Sequence, residues 1–424
     1  MRVNVKKENG YNIHTIKLDK YKTTTMNIIF RKELKKEDIS SYVILSRLMT
    51  ESSKKYPSKK SINIELERLY NSFIIANVSI EGNSLCFEIT YDFINPKYCE
   101  EGYLEQAMKF PFELLYNPNI VNGKFEEKSY NNAINFFKTM LEEEKEYAAG
   151  YSMKRSLECM DSSSPTSYSS VGYLEDLEWI TSKTLVNSYK RLFKDFNVDI
   201  YVVGNIDMDL VTNYIEKYIK LDNKVKPVDN LYIVNKLKKQ YEDIVEYGEY
   251  EQASLVMLYN MQPLTKRERD VVLPVFNSIL GGNNLTSKLY MNVREKNSLC
   301  YNIGSYFIKF SSLLIVRAGI DSKNKDKTVK LVNKCIKEMV NGEFSDEEVL
   351  SAKKARINQV RMQEDSTWSI LAIQVAADID NIATGNKMIN EIRTVTKKEI
   401  IDLAKKIKLN TIYLLCKEED DGRN

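Results

Sequence analysis

A short motif of the form Val-Asn-Gly-x-Phe occurs twice in this chain, at residues 121–125 and at residues 340–344. The two copies are 219 positions apart, and a stretch with apolar residues at helical spacing follows each of them. A second matching pair, residues 180–185 and 395–400, lies 215 positions apart, and each member begins a helix behind a threonine placed to cap it. Chance recurrence of helix starts is the alternative, but two such similar offsets favour an internal duplication.

Each half combines strands with long helices and ends on a β-rich run, residues 198–203 in the first half and 411–416 in the second. This order predicts an α+β protein with two similar domains, each a largely antiparallel sheet covered by helices on one face. Between the halves, a polar segment with one proline and no periodicity is typical of a linker. The sequence therefore predicts an N-terminal domain over residues 1–217, a linker over 218–235 and a C-terminal domain over 236–424.

Composition excludes several classes of function. The chain has 62 basic and 59 acidic residues, a net charge of +3, and no basic run that would neutralise many phosphates, so we expect no nucleic-acid partner. The N-terminal residues lack the apolar core of a signal peptide, and apolar runs such as 200–203 have strand length, so we expect no membrane partner. Six scattered cysteines without a C-x-x-C pair favour reduced thiols in a cytoplasmic protein.

The chain has a single histidine, His14, within an alternating run that predicts a surface strand residue. A serine hydrolase triad would have to use this one imidazole, which makes that class a weak alternative. Nucleotide binding at residues 281–287 is also disfavoured, because the Lys-Ser/Thr ending of a phosphate loop is missing.

The strongest local signal spans residues 281–301, where a glycine pair leads into a helix that ends near Asn297 and a strand follows. This run resembles the second-half signature of pitrilysin-type peptidases, the inverted zincins that include mitochondrial processing peptidase. In that family an arginine, and a tyrosine seven residues later, reach toward the scissile carbonyl; the matching positions here are Arg294 and Tyr301. A fixed cation and a phenol hydroxyl can both donate to a developing oxyanion. The resemblance therefore implies a catalytic pair, and the alternative is that Arg294 caps the helix while Tyr301 packs in the strand.

The resemblance covers essentially the whole chain but fails at the zinc motif. The family's H-x-x-E-H would fall on residues 43–47, which read Val-Ile-Leu-Ser-Arg, and its distal glutamate ligand would fall near Tyr130. A site of this kind takes two imidazoles from one helical turn, and this chain cannot supply them. The resemblance thus implies no metal and no cofactor in this chain, with zinc expected in a homologous partner subunit. Within the family, the chain most resembles a small bacterial group of such paired, heterodimeric proteins.

In mitochondrial relatives a glycine-rich loop of the zinc-less chain touches substrate, which implies that Gly281 and Gly282 bind the peptide; a plain turn leading into the helix is the alternative. The prediction for the whole chain is a non-metal subunit of a heterodimeric zinc endopeptidase. It would be no peptidase alone, but would supply Arg294, Tyr301 and chamber wall in trans for peptide cleavage by its partner. The alternative is a purely structural or peptide-binding scaffold without a catalytic contribution.

Overall fold

The structure is a computed structural model that describes residues 3–221, 224–282 and 285–418. In the first half of the chain the elements run in the order β1 (Asn4–Lys7), β2 (Tyr11–Lys17), β3 (Thr23–Glu33), α1 (Ile39–Met49), α2 (Lys59–Arg68), β4 (Phe73–Glu81), β5 (Ser84–Ile94), α3 (Tyr103–Tyr116), β6 (Ile120–Val121), β7 (Lys124–Phe125), α4 (Glu127–Glu146), α5 (Ala148–Asp161), α6 (Ser182–Asp195), β8 (Asn197–Gly204) and α7 (Met208–Tyr218).

In the second half the elements run in the order β9 (Glu242–Tyr247), β10 (Ala253–Asn260), α8 (Leu273–Leu280), β11 (Cys300–Ile308), β12 (Leu313–Ile320), α9 (Lys325–Asn341), α10 (Asp346–Met362), α11 (Thr367–Asp380), α12 (Gly385–Arg393), α13 (Lys397–Ala404) and β13 (Lys408–Cys416). A π-helical turn, Glu268–Val272, leads into α8, and another, Tyr290–Glu295, precedes β11. Among the described residues, no helix combines the length and the apolar character that crossing a membrane requires.

The two large sheets share one topology. The first has the strand order β1-β2-β8-β3-β5-β4, and the second, read from its other end, has the order β9-β13-β10-β12-β11. The pairs β2/β8 and β9/β13 are parallel, whereas the remaining pairs are antiparallel. The predicted α+β class with two similar, largely antiparallel sheets is therefore confirmed.

The residues that revealed the repeat in sequence lie at corresponding places in the two halves. Phe125 and Phe344 are both buried and come just before α4 and α10. Thr181 and Thr396 cap α6 and α13, the helices that lead into β8 and β13, and each cap is a reciprocal capping box. In each box the threonine hydroxyl accepts from the backbone N–H three residues on, while that residue's side chain accepts from the threonine N–H.

Two helices pack on the sheet of the other sequence half. The chain forms two compact units, one of 1–142, 169–231 and 363–381 and the other of 143–168, 232–362 and 382–424, so α11 belongs to the first unit and α5 to the second. In the second unit, α5 packs on β10 and β13; in the first, α11 packs on the equivalent strands β3 and β8. Apolar residues bury each contact, Met160 against Val256 and Leu258 in one unit, Ile370 and Leu371 against the sheet in the other. Each sheet thus has a helix on the face that our prediction left uncovered.

The prediction that His14 is a surface residue is wrong. His14 is buried under α11: its Nε2 lies 3.0 Å from Asp199 Oδ1 on β8, and its Nδ1 lies 3.0 Å from Asp378 Oδ2 on α11. The imidazole stacks on Tyr201 with the ring centroids 4.3 Å apart, and Arg31 forms a second ion pair with Asp199. The alternation of β2 could not reveal this, because the helix that covers the strand comes from the other end of the chain.

The His14 cluster predicts a dependence of stability on pH. Although burial lowers the pKa of His14, the hydrogen bonds and charges of Asp199 and Asp378 raise it to about 9 from an ordinary value of 6.5. The contribution of the His14 pKa shift to the free energy of unfolding is roughly 3 kcal/mol. It is fully present below pH 6.5 and is lost as the pH rises through 9. Burial raises the pKa of Asp199, but the His14 hydrogen bond and the Arg31 charge lower it to about 2. The contribution of Asp199 to the free energy of unfolding is therefore lost only as the pH falls through 2.

Urea unfolding at several pH values checks this expectation. Wild type should exceed the variant His14→Gln in free energy of unfolding at pH 6, and the difference should shrink between pH 6.5 and 9, because only the wild type releases this proton. Other groups that titrate over the same range cancel in the comparison. A difference that stays constant up to pH 10 would show that His14 is not held as the cation.

Candidate functional site

The residues at the position of the zinc motif lie in α1 but do not fit a metal. Ile44 and Leu45 are buried in the core, and Arg47 pairs through Nε with Glu51 Oε2 at 3.3 Å. The Arg47 guanidinium also lies 4.5 Å from the ring centroid of Phe136, so a cation occupies the place of the second imidazole. Aliphatic side chains and a guanidinium donate no lone pair to zinc. This helix therefore offers no metal chemistry.

The position of the distal glutamate ligand does not fit a metal either. Tyr130 on α4 donates its hydroxyl to the Ile180 carbonyl at 3.2 Å. In the part of the chain that the structure describes, no three His, Cys, Asp or Glu residues are grouped so that they could hold a metal ion.

One open pocket in the second unit contains both members of the predicted catalytic pair. It has a volume of about 1180 Å³ and is lined by four segments: the turn between β9 and β10, residues 294–301, the end of β12 with the turn after it, and the end of β13. Arg294 and Tyr301 come from the same segment, which passes from the π-helical turn into β11. The structure thus places the two side chains around one cavity.

Arg294 lies at the end of the π-helical turn and is available to a ligand. Its guanidinium lies 4.9 Å from the ring centroid of Tyr290, and its Nε lies 4.0 Å from Glu295 Oε1, with 41% of the side chain exposed. A contact that long and that exposed is worth little, between about 0 and 1 kcal/mol. Among the described residues the Arg294 side chain makes no hydrogen bond to a helix carbonyl, which disfavours the capping alternative.

Tyr301 lies at a β-bulge. Cys300 pairs with Ile320 and Asn302 pairs with Gly319, so Tyr301 is the extra residue of β11 at this point of the ladder. A bulge changes the direction of the side chain that it carries, and here 82% of Tyr301 is exposed. The alternative that Tyr301 packs in the strand does not describe this side chain, because the phenol is solvated at the pocket.

The sequence carried a signal for this bulge that pattern reasoning missed. Gly319 interrupts a largely apolar strand, and its N–H donates to Asn302 Oδ1 at 2.9 Å. A Cβ at Gly319 would lie 2.7 Å from Gln252 Oε1 and 3.0 Å from Asn302 Oδ1, so a larger residue there would displace these two side chains. Glycine inside a strand pattern often marks a bulge or a close approach.

Gly281 and Gly282 do not line this pocket. Gly281 ends α8, and its carbonyl accepts from the Ser305 N–H on β11 at 2.7 Å. A Cβ at Gly281 would lie 2.4 Å from Leu289 Cδ1 and 2.7 Å from Ser305 Oγ, so the close approach of α8 to β11 explains this glycine. Peptide binding by the glycine pair stays a prediction, and Asn283 and Asn284, which continue the loop, lie outside the described residues.

Comparisons with known proteins agree with these features. Residues 180–356, which include Arg294 and Tyr301, match the family model described as the Peptidase M16 inactive domain. The chain is 27% identical over 96% of its length, and 96% of the other, to the "Probable inactive metalloprotease YmfF" of Bacillus subtilis (strain 168). It is 21% identical to the "Uncharacterized zinc protease YmxG" of the same organism, over 57% of this chain and 58% of that one.

A solved structure, of a conserved protein from Enterococcus faecalis V583, covers 99% of both chains with a TM-score of 0.89 and 26% identity. The similarity of the two structures therefore extends over both halves of this chain.

Proposed function

We propose that this chain, which belongs to the pitrilysin-type peptidase family in a metal-less form, is the non-metal subunit of a two-chain zinc endopeptidase. The observation that carries the proposal is a division of parts. Arg294 and Tyr301 are both exposed at one large pocket, whereas α1 holds an arginine and core residues in place of metal ligands. A chain with half of a site is explained if another chain supplies the rest.

The pocket supports a role in stabilising charge on a peptide. When a peptide carbonyl is attacked, its oxygen becomes negative, and fixed N–H and O–H donors stabilise that charge. Arg294 offers a guanidinium that lies over the Tyr290 ring and approaches Glu295 no closer than 4.0 Å, and Tyr301 offers an exposed phenol O–H at the bulge. A cavity of about 1180 Å³ is larger than the usual ligand site of about 300–1,000 Å³, which suits an extended peptide of several residues.

The choice of partner rests on the relatives. Bacillus subtilis has one relative named as a probable inactive metalloprotease and another named as an uncharacterized zinc protease, so relatives with these two kinds of name occur in one organism. We propose that a zinc-bearing homologue is the partner of this chain. A cytoplasmic location is part of the proposal and is supported by six cysteines, none of which is joined in a disulfide.

Pairing is tested by mixing this chain with a homologue from the same organism that has an intact H-x-x-E-H motif. We expect a 1:1 complex at micromolar concentration by size exclusion with light scattering, because a composite site needs a stable interface. A mixture of this chain with an unrelated zinc peptidase is the control. Separate elution of the two homologues at about 10 µM would contradict stable pairing.

A further inference from the structure

A basic surface on the second unit has no role in the pocket described above. It lies along the C-terminal part of α10 and the end of α12, and we call it the α10 basic face. Its residues line a groove of about 520 Å³ together with Asn358, and they are Leu350, Lys353, Lys354, Ile357, Arg361 and Arg393. The α10 members are spaced three and four residues apart, which puts them on one face of the helix.

The α10 basic face has an unbalanced charge in a chain whose charges otherwise nearly balance. From residue 349 to residue 362, α10 contains four cations and no carboxylate. The groove itself is lined by the cations Lys353, Lys354, Arg361 and Arg393. Within residues 3–221, 224–282 and 285–418, no carboxylate forms an ion pair with any of them, and Lys353 Nζ donates only to the Arg393 carbonyl, at 3.0 Å. Arg356, on the same turns, is a fifth cation without a carboxylate, and burial lowers the pKa of its guanidinium. Self-repulsion among these charges is relieved by an anionic partner.

The apolar residues of the groove show what kind of anionic partner fits. Leu350 is 51% exposed, and Ile357 lies between the cations along the same helix face. An amphipathic helix places apolar and acidic side chains at the same three- and four-residue spacing and fills a groove between two helices.

Nucleic acid and membranes fit the groove less well. Tight binding to nucleic acid takes about 6–10 phosphate contacts, more than this face supplies. A flat bilayer surface does not fill a concave groove, and the groove lining contains no tryptophan or tyrosine of the kind that anchors proteins at a bilayer interface.

We propose that the α10 basic face docks an acidic, amphipathic helix of a partner protein. Carboxylates of that helix pair with Lys353, Lys354, Arg361 and Arg393, and its apolar side chains cover Leu350 and Ile357. This docking does not depend on the peptidase role, because none of these residues lines the pocket of Arg294 and Tyr301.

Fluorescence anisotropy of the full chain with a labelled helical peptide tests the proposal. The probe has about 20 residues, with Glu and Leu at three- and four-residue spacing, and a second peptide has Gln in place of every Glu. We expect micromolar binding of the Glu peptide that weakens with added salt, and at least about tenfold weaker binding of the Gln peptide. Charge reversal by Lys353→Glu with Arg361→Glu should also weaken binding at least about tenfold.

The control variant is Lys334→Glu with Lys337→Glu, two exposed lysines of α9 in the same unit, which should bind the Glu peptide within about twofold of wild type. No binding of the Glu peptide by wild type at about 1 mM, or equal binding by the reversed variant, would overturn the proposal. Phosphatidylserine vesicles or a single-stranded RNA that bind more tightly than the peptide, and lose binding in the reversed variant, would assign the face to lipid or RNA and would also overturn it.

Discussion

Replacing Arg294 with alanine, or Tyr301 with phenylalanine, is expected to lower the turnover of the assembled pair by about 10²–10³-fold, roughly 3–4 kcal/mol of barrier. Each change removes one donor to the charge that develops on the peptide oxygen. Peptide affinity should change less, because an interaction made mainly in the transition state leaves the ground state nearly untouched. Steady-state kinetics of the intact complexes, with the fraction assembled measured by size exclusion, checks the prediction.

Lys296→Ala is the matched control for these two variants. Lys296 lies two residues beyond Arg294, is exposed, and contacts Asn292 Oδ1 at 3.3 Å, so its removal changes local charge without removing a donor from the pocket. Its turnover should stay within about twofold of wild type. If the scaffold alternative holds, the Arg294 and Tyr301 variants will instead lose folding or pairing while turnover per assembled complex is unchanged. Both residues would then have no catalytic role.

The variant Asp199→Asn is expected to lower the free energy of unfolding by about 3–5 kcal/mol, the usual cost of removing one partner from a buried ion pair. Asp199 is 4% exposed and forms ion pairs with both His14 and Arg31, so its neutralisation removes the negative charge that these two buried side chains share. Urea unfolding at pH 7 measures the change.

Asp378→Asn provides a graded comparison for Asp199→Asn. The Asp378 side chain is 28% exposed; its Oδ2 pairs with His14, and its Oδ1 accepts from Gln374 Nε2 at 2.8 Å. Because water can hydrate the exposed part of this carboxylate, the cost should be smaller, about 1–2 kcal/mol. A loss below about 1 kcal/mol for Asp199→Asn would show that the buried charges of this cluster contribute little to the free energy of unfolding.

The duplication could be predicted from the sequence because its signals are local. A capping threonine and the residue three positions on form a box whatever the rest of the chain does, as at Thr181 and Thr396. Phe125 and Phe344 are likewise local signals, because each belongs to a short motif that comes just before a helix. The order of the strands in each sheet could not be predicted, because pairing between strands that are distant in the chain leaves no pattern in the sequence of either strand.

The exchange of α5 and α11 could not be predicted. Periodicity shows that one face of each helix is buried, but the same apolar residues, such as Met160 and Ile370, would cover either sheet. The prediction that His14 is a surface residue was wrong for the same reason, because the helix that buries it comes from the far end of the chain. At the pocket, the position of Arg294 could be predicted from its motif, whereas the exposure of Tyr301 depends on a bulge that Gly319 permits on the neighbouring strand.

The central claim, that this chain completes a site whose metal another chain holds, is tested most directly by assaying peptide cleavage with each chain alone and with the two mixed. A bacterial homologue with an intact H-x-x-E-H motif is the second chain, and zinc content is measured on each chain separately. We predict that neither chain cleaves alone, that the 1:1 mixture does, and that about one zinc per complex comes with the homologue. Cleavage or tightly bound zinc in this chain alone, or a homologue that is as active alone as in the mixture, would contradict the account.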